Sequence, residues 1–242
     1  MPDKILVLNP LSDEERLIKD FGKAVLNARE FIDDPSQFKL VLFTGGADIS
    51  PHLYGDTSPK HICHYSLKRD EMEQEIYDIA LNHGIMMAGI CRGLQFLNVM
   101  AGGKLMHHID GHNSVIHPME TATGEFFYVN SYHHQMILPG HNTRVIGWID
   151  KNRSKRYIGK NDDPVRYSGK EIEAAIFPET KAFGVQYHPE WEEEKSYARD
   201  YYINMIADAL NLPWRRFIRN YTRRHKNVGL DNVCEYSSAI AG

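Results

Sequence analysis

The chain has 242 residues, of which 42% are hydrophobic and 25% charged, proportions that are ordinary for a soluble globular protein. A net charge of −4 gives no global argument for binding nucleic acid or a membrane. The N-terminus becomes charged at once and no apolar run approaches the length of a membrane span, so we expect neither a signal peptide nor a membrane helix. Three scattered cysteines do not form a disulfide framework and favour a reducing cytoplasm.

Predicted strands and helices alternate in the first half of the chain, and the second half is rich in strands. The apolar patterns predict strands at 4–8, 39–43, 85–90, 126–130, 144–148, 172–177 and 183–187. They predict helices at 70–83, from the residue after Cys91 to Gly102-Gly103, and at 197–210. This order predicts an α/β fold with a mostly parallel sheet and an antiparallel extension.

A cysteine lies where a predicted strand turns directly into a predicted helix, in the sequence Gly89-Ile90-Cys91-Arg92-Gly93. A nucleophile needs a sharp turn that lifts it clear of the sheet, and the flanking glycines remove Cβ atoms that would clash there. The helix N-terminus favours a thiolate, and the backbone N–H of Arg92 could bind an oxyanion. The local pattern fits either a catalytic nucleophile or a buried structural cysteine.

A thiol nucleophile needs a general base, and the best candidate is His188 in the sequence His188-Pro189-Glu190. In an extended segment, residues two apart point the same way, so Glu190 would orient the imidazole as the third member of a triad. Pro189 favours extension of the residue before it, although this tripeptide alone is more typical of a surface turn. Gly45-Gly46, after the strand at 39–43, could supply a second oxyanion donor, although most Gly-Gly pairs are simply turns.

Five segments resemble a known superfamily in their order and spacing: LFTGGADISPHLYGD, KRDEMEQEIYDIAL, AGICRGLQFLNVMAGGKL, VNSYHHQMI and GVQYHPEW. They span about residues 40–191 and resemble the class I glutamine amidotransferases, most of all the peptidase C26 group of γ-glutamyl and γ-glutamyl-GABA hydrolases. The resemblance implies a three-layer, flavodoxin-like α/β sandwich with the antiparallel extension. We expect this hydrolase domain to occupy residues 1–211, and a basic C-terminal extension of unknown role to occupy 212–242.

The resemblance also implies the site. It assigns a catalytic triad to Cys91, His188 and Glu190, and oxyanion donors to Gly46 and Arg92. It implies a pocket for a small γ-glutamyl substrate, formed by Gln95, Asn130, Ser131, Tyr132 and His133. The reaction would pass through a γ-glutamyl thioester and would need no metal or organic cofactor.

Two regions depart from the family pattern. The region before residue 38 is short and matches poorly, and the segment 151–170 is polar and charged where relatives have a short turn. A pocket bordered by basic side chains of this segment would suit a leaving amine that carries a carboxylate or phosphate; these are Lys151, Arg153, Lys155 and Arg156. We therefore expect a γ-glutamyl amine conjugate as substrate rather than free glutamine.

Thirteen histidines raise the question of a metal site. Several are close together in the sequence: His107, His108, His112 and His117, and then His133 and His134. No H-E-x-x-H or C-x-x-C motif accompanies them, so the sequence predicts no metal ion.

The segment 212–227 contains six Lys or Arg residues and no acidic residue. A solvated helix face or an oligomer contact is expected before a docking surface for an acidic partner or nucleic acid. Two functional classes stay open: a hydrolase that acts alone, and a glutaminase subunit that delivers ammonia to a separate synthetase. No synthetase domain is fused to the sequence, which favours the first, and the complete triad argues against an inactive binding homologue.

Overall fold

A nine-stranded sheet runs through the centre of the protein in the computed structural model, which describes residues 2–222. The strands of this sheet and of two smaller ones are β1 (Lys4–Leu8), β2 (Lys23–Val25), β3 (Phe38–Phe43), β4 (Met86–Ile90), β5 (Lys104–Met106), β6 (His108–Ile109), β7 (Asn113–Thr121), β8 (Phe126–Tyr132), β9 (Met136–Leu138), β10 (Arg144–Trp148), β11 (Tyr157–Ile158), β12 (Pro164–Val165), β13 (Ile172–Phe177) and β14 (Ala182–Val185). The helices are α1 (Glu14–Ile18), α2 (Ala28–Asp33), α3 (Leu67–Asn82), α4 (Arg92–Met100), α5 (Tyr197–Asn211) and α6 (Trp214–Tyr221).

The central sheet has a parallel part and an antiparallel part. Its strand order is β2-β1-β3-β4-β14-β13-β10-β7-β8. Every pairing from β2 to β14 is parallel, and every pairing from β14 to β8 is antiparallel. Two smaller sheets, β12-β11-β6 and β5-β9, are formed by strands from the same stretch of the chain as the antiparallel part. The predicted α/β class, parallel core and antiparallel extension are confirmed.

Helices cover both faces of the parallel part and form the two outer layers. Along β1, Ile5 and Val7 join one core while Leu6 and Leu8 join the other, because successive side chains of a strand point to opposite faces. The first core includes residues of α1, α5 and α6, and the second includes residues of α2, α3 and α4. Burial on both sides explains why these strands read as continuous apolar runs.

The elements that the sequence patterns did not predict are short or carry polar residues at buried positions. β7 is the clearest case, because its inward positions include His117, Met119 and Thr121, and Pro118 lies between them. Such a strand has no apolar alternation to recognise. Its place in the sheet depends on pairing with β8 along nearly its whole length.

The described part of the basic C-terminal segment forms α6. Phe217 and Tyr221 of this helix are buried in the core that α5 also lines. The remainder of the segment, and Cys234, lie outside the described residues, and the predicted domain division at residue 211 stays a prediction. Within residues 2–222, no helix is both long enough and apolar enough to cross a bilayer.

Candidate active site

Three parallel strands bring the candidate residues to one edge of the sheet. β4 lies between β3 and β14, with Phe43 paired to Gly89 and Val185 paired to Ile90. Cys91 follows β4 directly, and its N–H donates to the carbonyl oxygen of Val185 at 2.8 Å. Because the carboxyl ends of neighbouring parallel strands share an edge, the chain after β14 passes close to Cys91.

Cys91 adopts a strained backbone conformation at the start of α4. Its φ is 51° and its ψ is −106°, values that a residue with a side chain rarely adopts, and it is 6% exposed. A Cβ on Gly93 would lie 2.0 Å from the carbonyl oxygen of Phe43, and one on Gly89 would lie 2.5 Å from the carbonyl carbon of Gly93. The flanking glycines therefore allow close approach of the helix to the strands, as predicted, and neither of them has a positive φ.

His188 lies against both Cys91 and Glu190. Its Nδ1 is 2.6 Å from Oε1 of Glu190, and its ring lies close enough to Cys91 for that side chain to raise its pKa. The predicted closeness of His188 and Glu190 is confirmed, but the expected extended segment is wrong beyond His188. Pro189–Trp191 forms a 3₁₀ turn instead, and this turn carries Glu190 back towards the imidazole.

The surroundings of His188 favour its protonated form. Burial disfavours the imidazolium, but the hydrogen bonds and negative charge of Cys91 and Glu190 outweigh it and raise the pKa of His188 to about 10. Burial raises the pKa of Cys63, the other described cysteine, to about 12. The site is therefore suited to holding an imidazolium at His188 beside the Cys91 side chain.

Asn130 holds the backbone of His188. Its Oδ1 accepts from the N–H of His188 at 2.9 Å, and its Nδ2 donates to the carbonyl oxygen of His188 at 2.7 Å. The sequence analysis assigned Asn130 to the substrate pocket, whereas the structure places its amide on the backbone of His188.

Trp191 covers the imidazole and was missed by the sequence analysis. The rings of His188 and Trp191 are stacked with centroids 3.9 Å apart and planes 7° apart. The indole N–H of Trp191 donates to Oγ of Ser12 at 2.9 Å, so the N-terminal region contributes to this side of the site. The only signal in the sequence is an aromatic residue directly after His188-Pro189-Glu190.

Arg92 is buried with its guanidinium paired to two carboxylates of α3. Nη2 lies 2.5 Å from Oδ1 of Asp70, and Nη1 is hydrogen-bonded to Glu73. A buried charge needs such partners. The backbone N–H of Arg92 belongs to the first turn of α4, where N–H groups have no acceptor within the helix, so it is available as an oxyanion donor.

The turn after β3 contacts the same imidazole. A Cβ on Gly45 would lie 2.7 Å from Cε1 of His188, and Gly46 has a φ of +130°. Arg69 donates through Nη2 to the carbonyl oxygens of Thr44 and Gly45, at 3.2 and 2.9 Å. Arg69 thus fixes the turn that carries Gly46. The sequence analysis did not predict this role.

Gln95 and Tyr132 lie near this site. Gln95 lies one helical turn beyond Cys91. Its Nε2 is 3.2 Å from both the carbonyl oxygen of Gln135 and Oε1 of Gln186. Tyr132 is 46% exposed, and its ring meets the His188 ring edge-on with centroids 6.4 Å apart. Both positions stay predicted substrate contacts.

Ser131 and His133 have side chains buried among other histidines. Oγ of Ser131 donates to the carbonyl oxygen of His112 at 2.8 Å, and Nδ1 of His133 lies 2.9 Å from the carbonyl oxygen of Gln135. The N–H of His133 donates to the carbonyl oxygen of His112 at 3.1 Å, and the two positions stay predicted substrate contacts.

The basic segment that begins at residue 151 is held by two acidic residues. The N–H groups of Arg153 and Ser154 donate to Glu171 at 2.8 and 2.9 Å, and those of Lys155 and Arg156 donate to Asp110. That the basic side chains of this segment line the pocket for the leaving amine stays a prediction.

The histidines that are close in sequence divide into separate groups in space. His107 lies 3.3 Å from Asp56, and Nδ1 of His108 lies 3.3 Å from Nδ1 of His134. A second group brings His112, His117 and His133 together with Glu173, a residue that the sequence analysis did not consider. This group could hold a metal ion, and the expectation that the chain has no metal site stays a prediction.

Comparison with known proteins agrees with the fold and with the family resemblance. Residues 36–152 match the Peptidase C26 family. YvdE of Lactococcus lactis subsp. lactis, named as a glutamine amidotransferase-like protein, is 30% identical over 176 residues, which cover 64% of this chain and 67% of YvdE. The carbamoyl phosphate synthase small chain of Oceanobacillus iheyensis is 29% identical over 125 residues, covering 50% of this chain and 31% of that protein.

Two solved structures share the fold at low identity. A glutamine amidotransferase from Thermotoga maritima has a TM-score of 0.56 at 14% identity, covering 92% of this chain and 91% of its own. A candidate GMP synthase subunit from Thermoplasma acidophilum has a TM-score of 0.58 at 15% identity, covering 91% and 98%. The chain spans between about half and two thirds of the length of the first curated relatives it matches. Its match to YvdE, the Peptidase C26 match and the shared fold agree: the chain belongs to the Peptidase C26 family of glutamine amidotransferase-like proteins.

Proposed function

We propose that the protein hydrolyses γ-glutamyl amide bonds, with Cys91 as nucleophile, His188 as general acid and base, and Glu190 as the residue that orients His188. One observation carries the proposal: the thiol at a strained strand-to-helix turn lies close to a histidine that is itself hydrogen-bonded to a carboxylate. This is the arrangement of nucleophile, base and orienting group that covalent catalysis requires. The predicted cytoplasmic location would keep Cys91 as a free thiol.

The reaction has two halves. The Cys91 thiolate attacks the γ-carbonyl carbon, and the N–H groups of Gly46 and Arg92 stabilise the oxyanion. The C–N bond then breaks while His188 gives its proton to the leaving amine, which leaves a γ-glutamyl thioester. His188 next takes a proton from water, the hydroxide adds to the thioester carbon, and the C–S bond breaks to release glutamate and the thiolate.

The glutamyl half of the substrate would lie beside the thiol. Gln95 is one helical turn beyond Cys91, and Tyr132 lies beside His188, so both can contact a glutamyl group held at Sγ. The N–H of His133 donates to the carbonyl oxygen of His112, so the α-carboxylate would depend on other backbone N–H groups near Tyr132. The leaving amine would meet the basic segment 151–156, which favours a conjugate such as γ-glutamyl-GABA over free glutamine.

The substrate is tested by comparing kcat/KM for glutamine, γ-glutamyl-GABA and a γ-glutamyl amine without a terminal acid. We expect γ-glutamyl-GABA to be cleaved best. If the acid-free amine is cleaved as well as γ-glutamyl-GABA, the basic segment does not recognise the leaving amine. No cleavage of any γ-glutamyl compound, by a protein with an alkylatable Cys91, would overturn the proposal.

A second candidate function is a glutaminase subunit that supplies ammonia to a synthetase. The observation that favours it is the similarity to the carbamoyl phosphate synthase small chain. It predicts that glutamine is the preferred substrate and that ammonia release depends on an added synthetase. Ammonia measurement with the isolated protein separates the two candidates, because the hydrolase needs no second protein.

A further inference from the structure

Three histidines and a glutamate meet inside the antiparallel part of the central sheet. His112 directly precedes β7, His117 lies in β7, His133 directly follows β8, and Glu173 lies in β13. One possible ligand atom from each lies within 4.8 Å of the others. All four side chains are buried, and none of the four residues is more than 6% exposed.

The separations in this cluster approach those of metal ligands. Oε1 of Glu173 lies 3.5 Å from Nε2 of His117 and 3.7 Å from Nε2 of His133. Ligand atoms on a tetrahedral zinc ion, with bonds of roughly 2.0–2.1 Å, are about 3.3 Å apart. The four ligand atoms all lie within 4.8 Å of one another, so an inward movement of the side chains would bring them to the spacing that one ion requires.

Each histidine uses one ring nitrogen on an acceptor outside the cluster. Nε2 of His112 lies 3.0 Å from Oε2 of Glu171, while Nδ1 of His117 and of His133 face the backbone oxygens of Pro118 and Gln135 at 3.3 and 2.9 Å. An N–H directed at a carboxylate or carbonyl oxygen fixes the tautomer and leaves the other nitrogen as a lone-pair donor. Metal-bound histidines in proteins are held in this way.

The inward-facing atoms have no hydrogen-bond partner among residues 2–222. They are Nε2 of His117, Nε2 of His133 and both carboxylate oxygens of Glu173. Nδ1 of His112 lies 3.3 Å from Oγ of Ser131, but that hydroxyl donates its proton to the carbonyl oxygen of His112 at 2.8 Å. A buried carboxylate surrounded by lone pairs is unfavourable unless a cation lies between them.

We propose that His112, His117, His133 and Glu173 bind one divalent transition-metal ion, for which Zn²⁺ is the best match. Imidazole nitrogens with one carboxylate suit Zn²⁺, and a closed set of four protein ligands is typical of structural zinc sites. The four proposed ligands are buried, so the ion would serve the fold rather than the hydrolysis. It would join β7, β8 and β13, and β8 also carries Asn130, which holds the backbone of His188.

The metal content of the full chain tests the proposal directly. Protein purified from zinc-supplemented cultures is measured by inductively coupled plasma mass spectrometry. We expect about one zinc ion per chain in the wild type and nearly none in His117→Gln and Glu173→Gln. His107→Gln is the matched control, because His107 is equally buried but lies outside the cluster, and it should keep the metal.

A wild type without zinc, both as purified and after incubation with Zn²⁺ and desalting, would overturn the proposal. So would variants that retain the wild-type zinc content.

Measurements on the wild type cover the case in which the variants fail to fold. Removal of metal with a strong chelator should lower Tm, and added Zn²⁺ should restore it. Refolding with Co²⁺ should produce the visible absorption of a four-coordinate site. An unchanged Tm after complete chelation, together with no such absorption, would show that the cluster is a buried ion-pair network instead.

The result is independent of the proposed hydrolysis. Cys91→Ala removes the candidate nucleophile but no proposed metal ligand, so it should bind zinc as the wild type does. Loss of zinc from Cys91→Ala would contradict the ligand assignment, whereas loss of its activity would bear only on the hydrolase.

Discussion

The parallel and antiparallel parts of the central sheet use polar residues in different ways. In the parallel part, polar groups lie in the turns beyond the strands, and the strands β3, β4 and β14 are largely apolar frames for Cys91, His188 and Gly46. In the antiparallel part, His117 and Glu173 lie within the strands themselves and are fully buried. Groups at strand ends can meet a substrate, whereas groups inside strands can only meet one another or an enclosed ion.

Removal of the thiol should have the largest effect on activity. Cys91→Ala is expected to lower kcat by on the order of 10⁴-fold or more, because it removes the group that forms the thioester. The measurement is amine release from a γ-glutamyl amide. Cys63→Ala is the control, since burial raises the pKa of Cys63 to about 12 and keeps it unreactive. An active Cys91→Ala variant would show that Cys91 is not the nucleophile.

Weakening the orienting carboxylate should have a smaller effect. Glu190→Gln keeps the size of the side chain that contacts Nδ1 of His188 but removes the charge that stabilises the imidazolium. We expect kcat to fall by about 10²- to 10⁴-fold, and by less than in His188→Ala. Steady-state kinetics of both variants test this order. Wild-type activity in Glu190→Gln would mean that Asn130 and Trp191 alone position the imidazole.

Closing the space at the turn should destabilise the parallel part of the sheet. In Gly93→Ala, the new Cβ would lie 2.0 Å from the carbonyl oxygen of Phe43, so β3 and α4 must move apart. The free energy of unfolding should fall by about 1–3 kcal/mol, with loss of activity. Urea denaturation measures the first and a kinetic assay the second.

Gly102→Ala is the control for Gly93→Ala. Its Cβ meets nothing within 4 Å, and its φ of +84° should cost only about 1 kcal/mol. Equal activity in the two variants would show that the close approach at Gly93 does not matter to the site.

The smallest expected effect is a shift in titration. Cys91→Ala should lower the pKa of His188 from about 10, because it removes one of the two partners that favour the imidazolium. NMR titration of the imidazole measures it, with Cys63→Ala as control.

The raised pKa of His188 also makes the stability of the folded state depend on pH. A raised pKa stabilises the folded state fully below the unfolded value of about 6.5, and this contribution is lost as the pH rises towards about 10. In Cys91→Ala, the stabilising contribution of His188 should disappear at a lower pH than in the wild type. An unchanged pKa in this variant would show that Glu190 alone is responsible.

Much of the parallel part could be predicted from sequence because its signals are local. Strands buried on both faces are apolar runs, and β1 has the predicted bounds. The turn at Cys91 was recognisable because its glycines lie beside it in the chain. The triad was predicted from residues whose chemistry is specific, although the 3₁₀ turn that brings Glu190 to His188 was not, since proline alone does not distinguish it from an extended segment.

The sequence by itself determined the α/β class, the candidate nucleophile and its partners, because each depends on a short stretch of chain. Only the tertiary structure decided how Asn130 and Trp191 hold His188, and how α3 supports the turns through Arg69, Asp70 and Glu73. It also decided which histidines meet: His107 and His112 separate, while Glu173 joins the cluster from a distant strand. These contacts depend on strand pairing between segments far apart in the chain, and no local pattern contains that information.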